Sequence, residues 1–269
     1  MARTRTLTGL TLLLAAGVAR QTEGAMFYAA EWGVGIYSVD PDAQMVQLLV
    51  SHSQAWALAA SNDPDMLYVS SFNGNLQSLS ISTGVLTPIG GSFPTNSLGY
   101  NEDGFLYSGT WSDGGLDRID PATGIATRVG TGSITSYAGD IVAGPNGGLF
   151  GLSSNNEIVS ISPLDGSTSV LFNVDPTIDA WGISTTLDGR FWLSAGPDLY
   201  ELNMTTGQTS YVMNLGFQAY DLASTPALNF TVPMLPTPGS LALFLGGALI
   251  ASPRRKRPCI APINRPSHS

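Results

Sequence analysis

The chain has 269 residues, 43% of them hydrophobic and only 12% charged, with 31 glycines and a formal charge of −9. Between residues 26 and 232 the imbalance is steeper, because 19 carboxylates face only Arg118, Arg128 and Arg190, a balance of −16. Such a surface disfavours nucleic acid and anionic lipid as partners, which need clustered Lys and Arg. The two histidines, His52 and His268, and the single Cys259 exclude a histidine triad, a His-rich zinc site and a disulfide framework.

Residues 1–25 read as a secretory signal peptide. Arg3 and Arg5 supply a positive start, residues 10–18 a short apolar core, and Gly17-Val18-Ala19 or Gly24-Ala25 a small-residue cleavage site. The apolar run falls short of the roughly 20 residues a membrane span requires. The expectation is export of everything that follows.

From residue 26 to 226 one pattern repeats. Gly84, Gly124, Gly166 and Gly207 close short turns 40, 42 and 41 residues apart, and Gln44 stands 40 residues before the first of them. A tight hairpin closed through a bulge needs a residue at positive φ, which glycine supplies most readily. A second turn keeps the same period in NDPD, NEDG, GPNG and TLDG, each followed by an aromatic-bearing strand: MLYVSS, FLYSGT, GLFGLS and RFWLSA. A small, apolar strand such as ALAAS or DIVAG precedes each turn. One period thus holds four strands and no ordinary helix.

About 40 residues carrying four antiparallel strands make a propeller blade. With strands lettered A to D from the axis outward, the chain starts in strand B at residues 26–30 and ends in a lone strand A at residues 220–225. The last strand can then complete the first blade and leave no open edge. The expected fold is all-β, a five-bladed β-propeller closed by its C-terminal strand. A two-sheet sandwich would need neither the period nor the displaced strand.

After residue 226 the composition changes. A Pro-rich linker at 227–238 leads into an apolar segment, GSLALFLGGALIA, and the basic cluster Arg254, Arg255, Lys256 and Arg257 at the end of a 239–257 unit; residues 258–269 follow. Pro236-Thr237-Pro238, the apolar segment and the basic cluster together resemble the PEP-CTERM sorting signal of exported bacterial proteins, with Thr237 where that family usually has Glu. The resemblance implies processing by an exosortase-type membrane protease, transient membrane contact through the C-terminal segment, and delivery to the cell surface or extracellular matrix. The alternative is a plain C-terminal anchor whose basic end stays in the cytoplasm.

Strand order places the D-to-A and B-to-C connections on one face of the disc. Trp32, Phe72 and Trp111 occupy equivalent B-to-C turns in three successive blades, and Trp56, Tyr137, Trp181 and Tyr220 join them where strands A begin. Displayed aromatic rings can stack on sugar rings, so polysaccharide is the expected ligand class; packing between blades is the competing reading. Asp140 and Asp221 sit at equivalent positions of strand A, where an acid/base pair acting on glycans or lactone-like substrates would stand. No metal or cofactor is expected, although calcium could draw on Asp40 and Asp42 or on Asp63 and Asp65. The function expected is non-enzymatic binding outside the cell, with a glycan-acting enzyme or a purely structural matrix component as alternatives.

Overall fold

The computed structural model describes residues 26–91, 93, 95–110, 113–130, 137–144, 147–186 and 188–224. The segments read as a signal peptide, a linker and a PEP-CTERM-like tail, together with Trp111, lie outside the described residues.

Every regular element among the described residues is a strand. Blade 1 contains β1 (Phe27–Glu31), β2 (Gly35–Asp40) and β3 (Met45–Ser51). Blade 2 is β4 (Ala55–Ala60), β5 (Met66–Ser71), β6 (Leu76–Ser80) and β7 (Leu86–Gly90), and blade 3 is β8 (Gly99–Tyr100), β9 (Leu106–Gly109), β10 (Leu116–Ile119) and β11 (Ala126–Val129). Blade 4 is β12 (Tyr137–Ala143), β13 (Leu149–Ser153), β14 (Glu157–Ile161) and β15 (Thr168–Asn173); blade 5 is β16 (Gly182–Thr185), β17 (Phe191–Ala195), β18 (Asp198–Leu202) and β19 (Thr209–Asn214). The last strand, β20 (Asp221–Ser224), adds to the free edge of β1, giving the order β20-β1-β2-β3. Its register runs antiparallel from Phe27↔Ser224 to Ala30↔Asp221. The five four-stranded sheets form a closed five-bladed β-propeller.

Each blade buries both faces of its inner strands against its neighbours. Phe27, Trp192, Leu199 and Leu222 fill the junction of blades 5 and 1, and Tyr28, Leu58, Leu67 and Val69 that of blades 1 and 2. Outer strands are largely solvated, as in β3, where no residue is fully buried and Met45 is 61% exposed. Trp192, the largest fully buried side chain, keeps its indole N–H satisfied by donating to Thr186 Oγ1 at 3.0 Å.

The turn reading holds residue by residue. Gln44, Gly84, Gly124, Gly166 and Gly207 have φ of 53°, 69°, 71°, 70° and 73°. In the degraded first copy a glutamine therefore carries the left-handed conformation that costs an L-residue about 1–2 kcal/mol. A Cβ at Gly84 would meet nothing within 4 Å, so substitution there tests the backbone alone. Gly84→Ala should destabilise the protein by about 1 kcal/mol, whereas Gln44→Gly should stabilise it by about 0.5 kcal/mol, the relieved strain exceeding the added unfolded-state entropy. Opposite shifts in Tm by calorimetry would bear this out.

Candidate functional site

Five aromatic rings from three blades meet on one face. Trp32, in the turn between β1 and β2, lies 5.8 Å edge-on to Trp56 and 6.2 Å from Phe72, tilted by 30°. Phe72 packs edge-on to Trp56 at 5.1 Å, Trp56 stacks on Tyr220 at 5.9 Å, and Tyr220 meets Trp181 edge-on at 6.4 Å. The cluster thus runs from blade 2 across blade 1 to blade 5.

Exposure divides the cluster into a base and a display. Trp56, Trp181 and Tyr220 are half-buried, whereas Trp32 and Phe72 are 54% and 59% exposed. The half-buried rings hold the exposed pair in place, so the two readings of these aromatics apply to different members. Trp56, Trp181 and Tyr220 pack, while Trp32 and Phe72 offer apolar surface to solvent. The position equivalent to Trp32 and Phe72 in blade 3, Trp111, falls outside the described residues, as does the Tyr137 side chain.

The rim of the cluster is acidic. Trp181 Nε1 donates to Asp179 Oδ2 at 3.3 Å, which holds an exposed carboxylate beside the rings. Glu31, next to Trp32 in the chain, accepts the Tyr37 hydroxyl at 2.8 Å, and Tyr37 stacks on Phe217 at 4.0 Å. Burial, then this hydrogen bond, pushes the Tyr37 phenol up to about 12. These carboxylate partners were not foreseen from the sequence; the adjacency of Glu31 to Trp32 and of Asp179 to Trp181 was the available signal.

All three arginines of the propeller are committed elsewhere. Arg190 forms a bidentate pair with Asp42 at 2.9 and 2.7 Å, spanning blades 5 and 1 on the opposite face. Arg128 binds Asp117 and Asp113 at 2.6 and 2.9 Å. Arg118 lies over the Phe105 ring at 3.2 Å, beside Asp103. Arg118 and Phe105 line a concavity of about 1040 Å³ between blades 3 and 4, away from the aromatic cluster.

The calcium candidates are turn residues. Asp40 Oδ1 accepts the amides of Asp42 and Ala43, and Asp63 Oδ1 that of Asp65. Asp65 accepts from Ser80 and Ser82, and these bonds hold its carboxyl below the usual range. Among the described residues no three or more His, Cys, Asp or Glu side chains gather as a metal site.

Asp140 and Asp221 are brought together, but inside the ring. They are 0% and 1% exposed, which leaves no path for a sugar ring to reach them. A close approach positions them: a Cβ at Gly139 would stand 1.9 Å from the Trp181 carbonyl, which accepts the Asp140 amide at 3.0 Å. Asp140 accepts the amides of Ile141 and Leu222 at 2.7 and 3.1 Å, together with that of Ile183. Asp221 Oδ1 accepts the Leu58 amide at 2.8 Å. Its fully buried Oδ2 has no hydrogen-bond donor, and the Asp221 and Asp140 carboxyls interact side chain to side chain, which is favourable only with a proton on one of them.

Burial raises both carboxyls well above the ordinary carboxylate value, and the Asp140 charge raises Asp221 further. At Asp140 the three amides and the Asp221 hydroxyl oppose that rise, so the proton belongs on Asp221. The arrangement ties blade 4 to the closing strand and the closing strand to blade 2. It is a structural clasp at the axis.

The sign of its pH dependence follows. The folded state holds a proton that the unfolded chain releases once pH exceeds the ordinary carboxylate value, so this contribution is fully present below that value and is lost as pH rises through the raised folded values. Asp221→Asn replaces the shared proton with an amide N–H while keeping the acceptor for Leu58, and should flatten the decline of Tm above pH 4. Asp140→Asn turns an N–H against backbone donors and should cost about 1–3 kcal/mol. Urea unfolding of the two variants between pH 4 and 9 measures the asymmetry.

No protein-family model matches the chain, and no curated protein matches it. Among solved structures it is similar to a chain in the nidogen/laminin complex, at 12% identity and TM-score 0.52, covering 75% of this chain and 98% of that one. It is also similar to a Bacteroides thetaiotaomicron protein of unknown function, at 15% identity and TM-score 0.52, covering 74% of this chain and 64% of that one. At these identities the likeness is one of fold, and it agrees with the propeller.

Proposed function

We propose that the chain is an exported, non-enzymatic binding protein whose propeller takes polysaccharide on the face bearing Trp32 and Phe72. The observation that carries this reading is the contiguous five-ring cluster, in which two large aromatics are more than half exposed and are braced by three half-buried ones. An exposed apolar surface of this kind has a solvation cost that a ligand can relieve, and rigid rings add stacking area at little entropic expense.

Localisation is part of the proposal. The signal-peptide pattern at 1–25 and the PEP-CTERM-like tail support delivery to the cell surface or extracellular matrix, with an exosortase-type protease as processing partner and membrane contact through the C-terminal segment. Pro236, Pro238, Arg254, Arg255, Lys256 and Arg257 are the residues on which that resemblance rests.

Glycan arrays probed with the purified chain from Met26 to Pro226 test the binding reading. Binding should fall at least tenfold in Trp32→Ala and in Phe72→Ala, with Tm nearly unchanged because both rings lie largely in solvent. A silent array with the wild-type protein would favour a purely structural matrix role. Delivery is tested separately: replacing the basic cluster at 254–257 with glutamines should redistribute the protein between membrane and matrix fractions in an exosortase-bearing host, and an unchanged distribution would count against the sorting signal.

A further inference from the structure

The electrostatics of the aromatic face narrow the class of saccharide. Strand order puts Glu31, Glu157, Asp175, Asp179 and Asp198 on the same face as Trp32 and Phe72, since each lies in a D-to-A connection or at a B-to-C end. The one arginine on that face, Arg128, is neutralised by Asp113 and Asp117. A glycan bearing carboxylates or sulfates would therefore meet uncompensated negative charge.

Asp179 stands out among these groups. One oxygen, Oδ2, is tied to the Trp181 indole N–H, which fixes the carboxylate at the margin of the ring cluster, while the residue stays exposed. No arginine pairs with it, because all three are bound elsewhere. Aromatic faces also attract cations through the negative potential of their π-systems. Exposed rings at one end of the cluster, with a carboxylate held at the other beside Trp181, match an oligosaccharide in which some sugars stack while another, further along the chain, carries an ammonium group.

We propose that the preferred ligand is a polysaccharide with free amino groups, such as a de-N-acetylated hexosamine polymer, its sugar faces stacking on Trp32 and Phe72 and an ammonium group pairing with Asp179. This deepens the proposed polysaccharide-binding reading and rests on it. The ammonium contributes attraction that the neutral N-acetyl form lacks, and this attraction weakens with ionic strength.

The test is calorimetric titration of the full chain from Met26 with glucosamine hexamer and N-acetylglucosamine hexamer, below the pKa of the amine and at two salt concentrations. The amino hexamer should bind at least fivefold more tightly at low salt, and that advantage should shrink at high salt. Asp179→Asn, an isosteric change at an exposed site, should remove most of the advantage without altering N-acetyl binding, and Trp32→Ala should weaken both. Equal affinity for the two hexamers, or an Asp179→Asn variant that weakens both alike, would overturn the amino-sugar inference and leave the polysaccharide reading standing. Binding of neither hexamer, with binding of other neutral glycans on an array, overturns it in the same way. Loss of all glycan binding removes both.

Discussion

Pairing of β20 with β1 is the contact on which the rest of the ring depends. Without it, blade 1 is a three-stranded sheet with an open inner edge, and the chain that leaves blade 5 is not tied back to blade 1. Two further interactions gather at the same seam. The Asp140–Asp221 clasp joins blade 4 to the closing strand at the axis, and the Arg190–Asp42 pair joins blade 5 to blade 1 on one face. A backbone ladder, a buried carboxyl pair and a bidentate ion pair thus reinforce the one place where the chain does not run continuously through a blade.

The aromatic face is a product of that closure. Tyr220 precedes β20, stacks on Trp56 of blade 2 and touches Trp181 of blade 5, so it links rings that would otherwise belong to separate blades. Trp32 and Phe72 then sit above a braced base. Binding and ring closure share residues, which places the exposed rings on a rigid support.

Much of this was legible because propeller geometry is periodic. The recurrence of Gly84, Gly124, Gly166 and Gly207 marked positive-φ turns, and Gln44 was recognisable by spacing alone. The phase offset between residues 26–30 and 220–225 showed how the ring would close. Equivalent turn positions correctly put Trp32 and Phe72 on one face. What periodicity could not show was depth: Asp140 and Asp221 looked like axial groups open to a ligand, but small neighbours at the matching strand positions, Ala57, Ser97 and Gly182, let the inner strands close around them. The Arg190–Asp42 pair joins residues 148 apart in the chain, a contact that depends on side-chain reach across the seam. The anchoring of Asp179 by Trp181 likewise depends on local rotamers.

The register Phe27↔Ser224 also sets an order of events during folding. Blades 2 to 5 are each contiguous in the chain and can form from local hairpins, whereas the first blade waits for the last residues of the propeller. Its closure spans the longest loop in the fold, and contacts of that separation form slowly. A chain interrupted before Asp221 would hold four finished blades and one exposed strand edge, the kind of template that recruits a second molecule. The short strand β20 is therefore also the step that separates a closed ring from one with an edge open to aggregation.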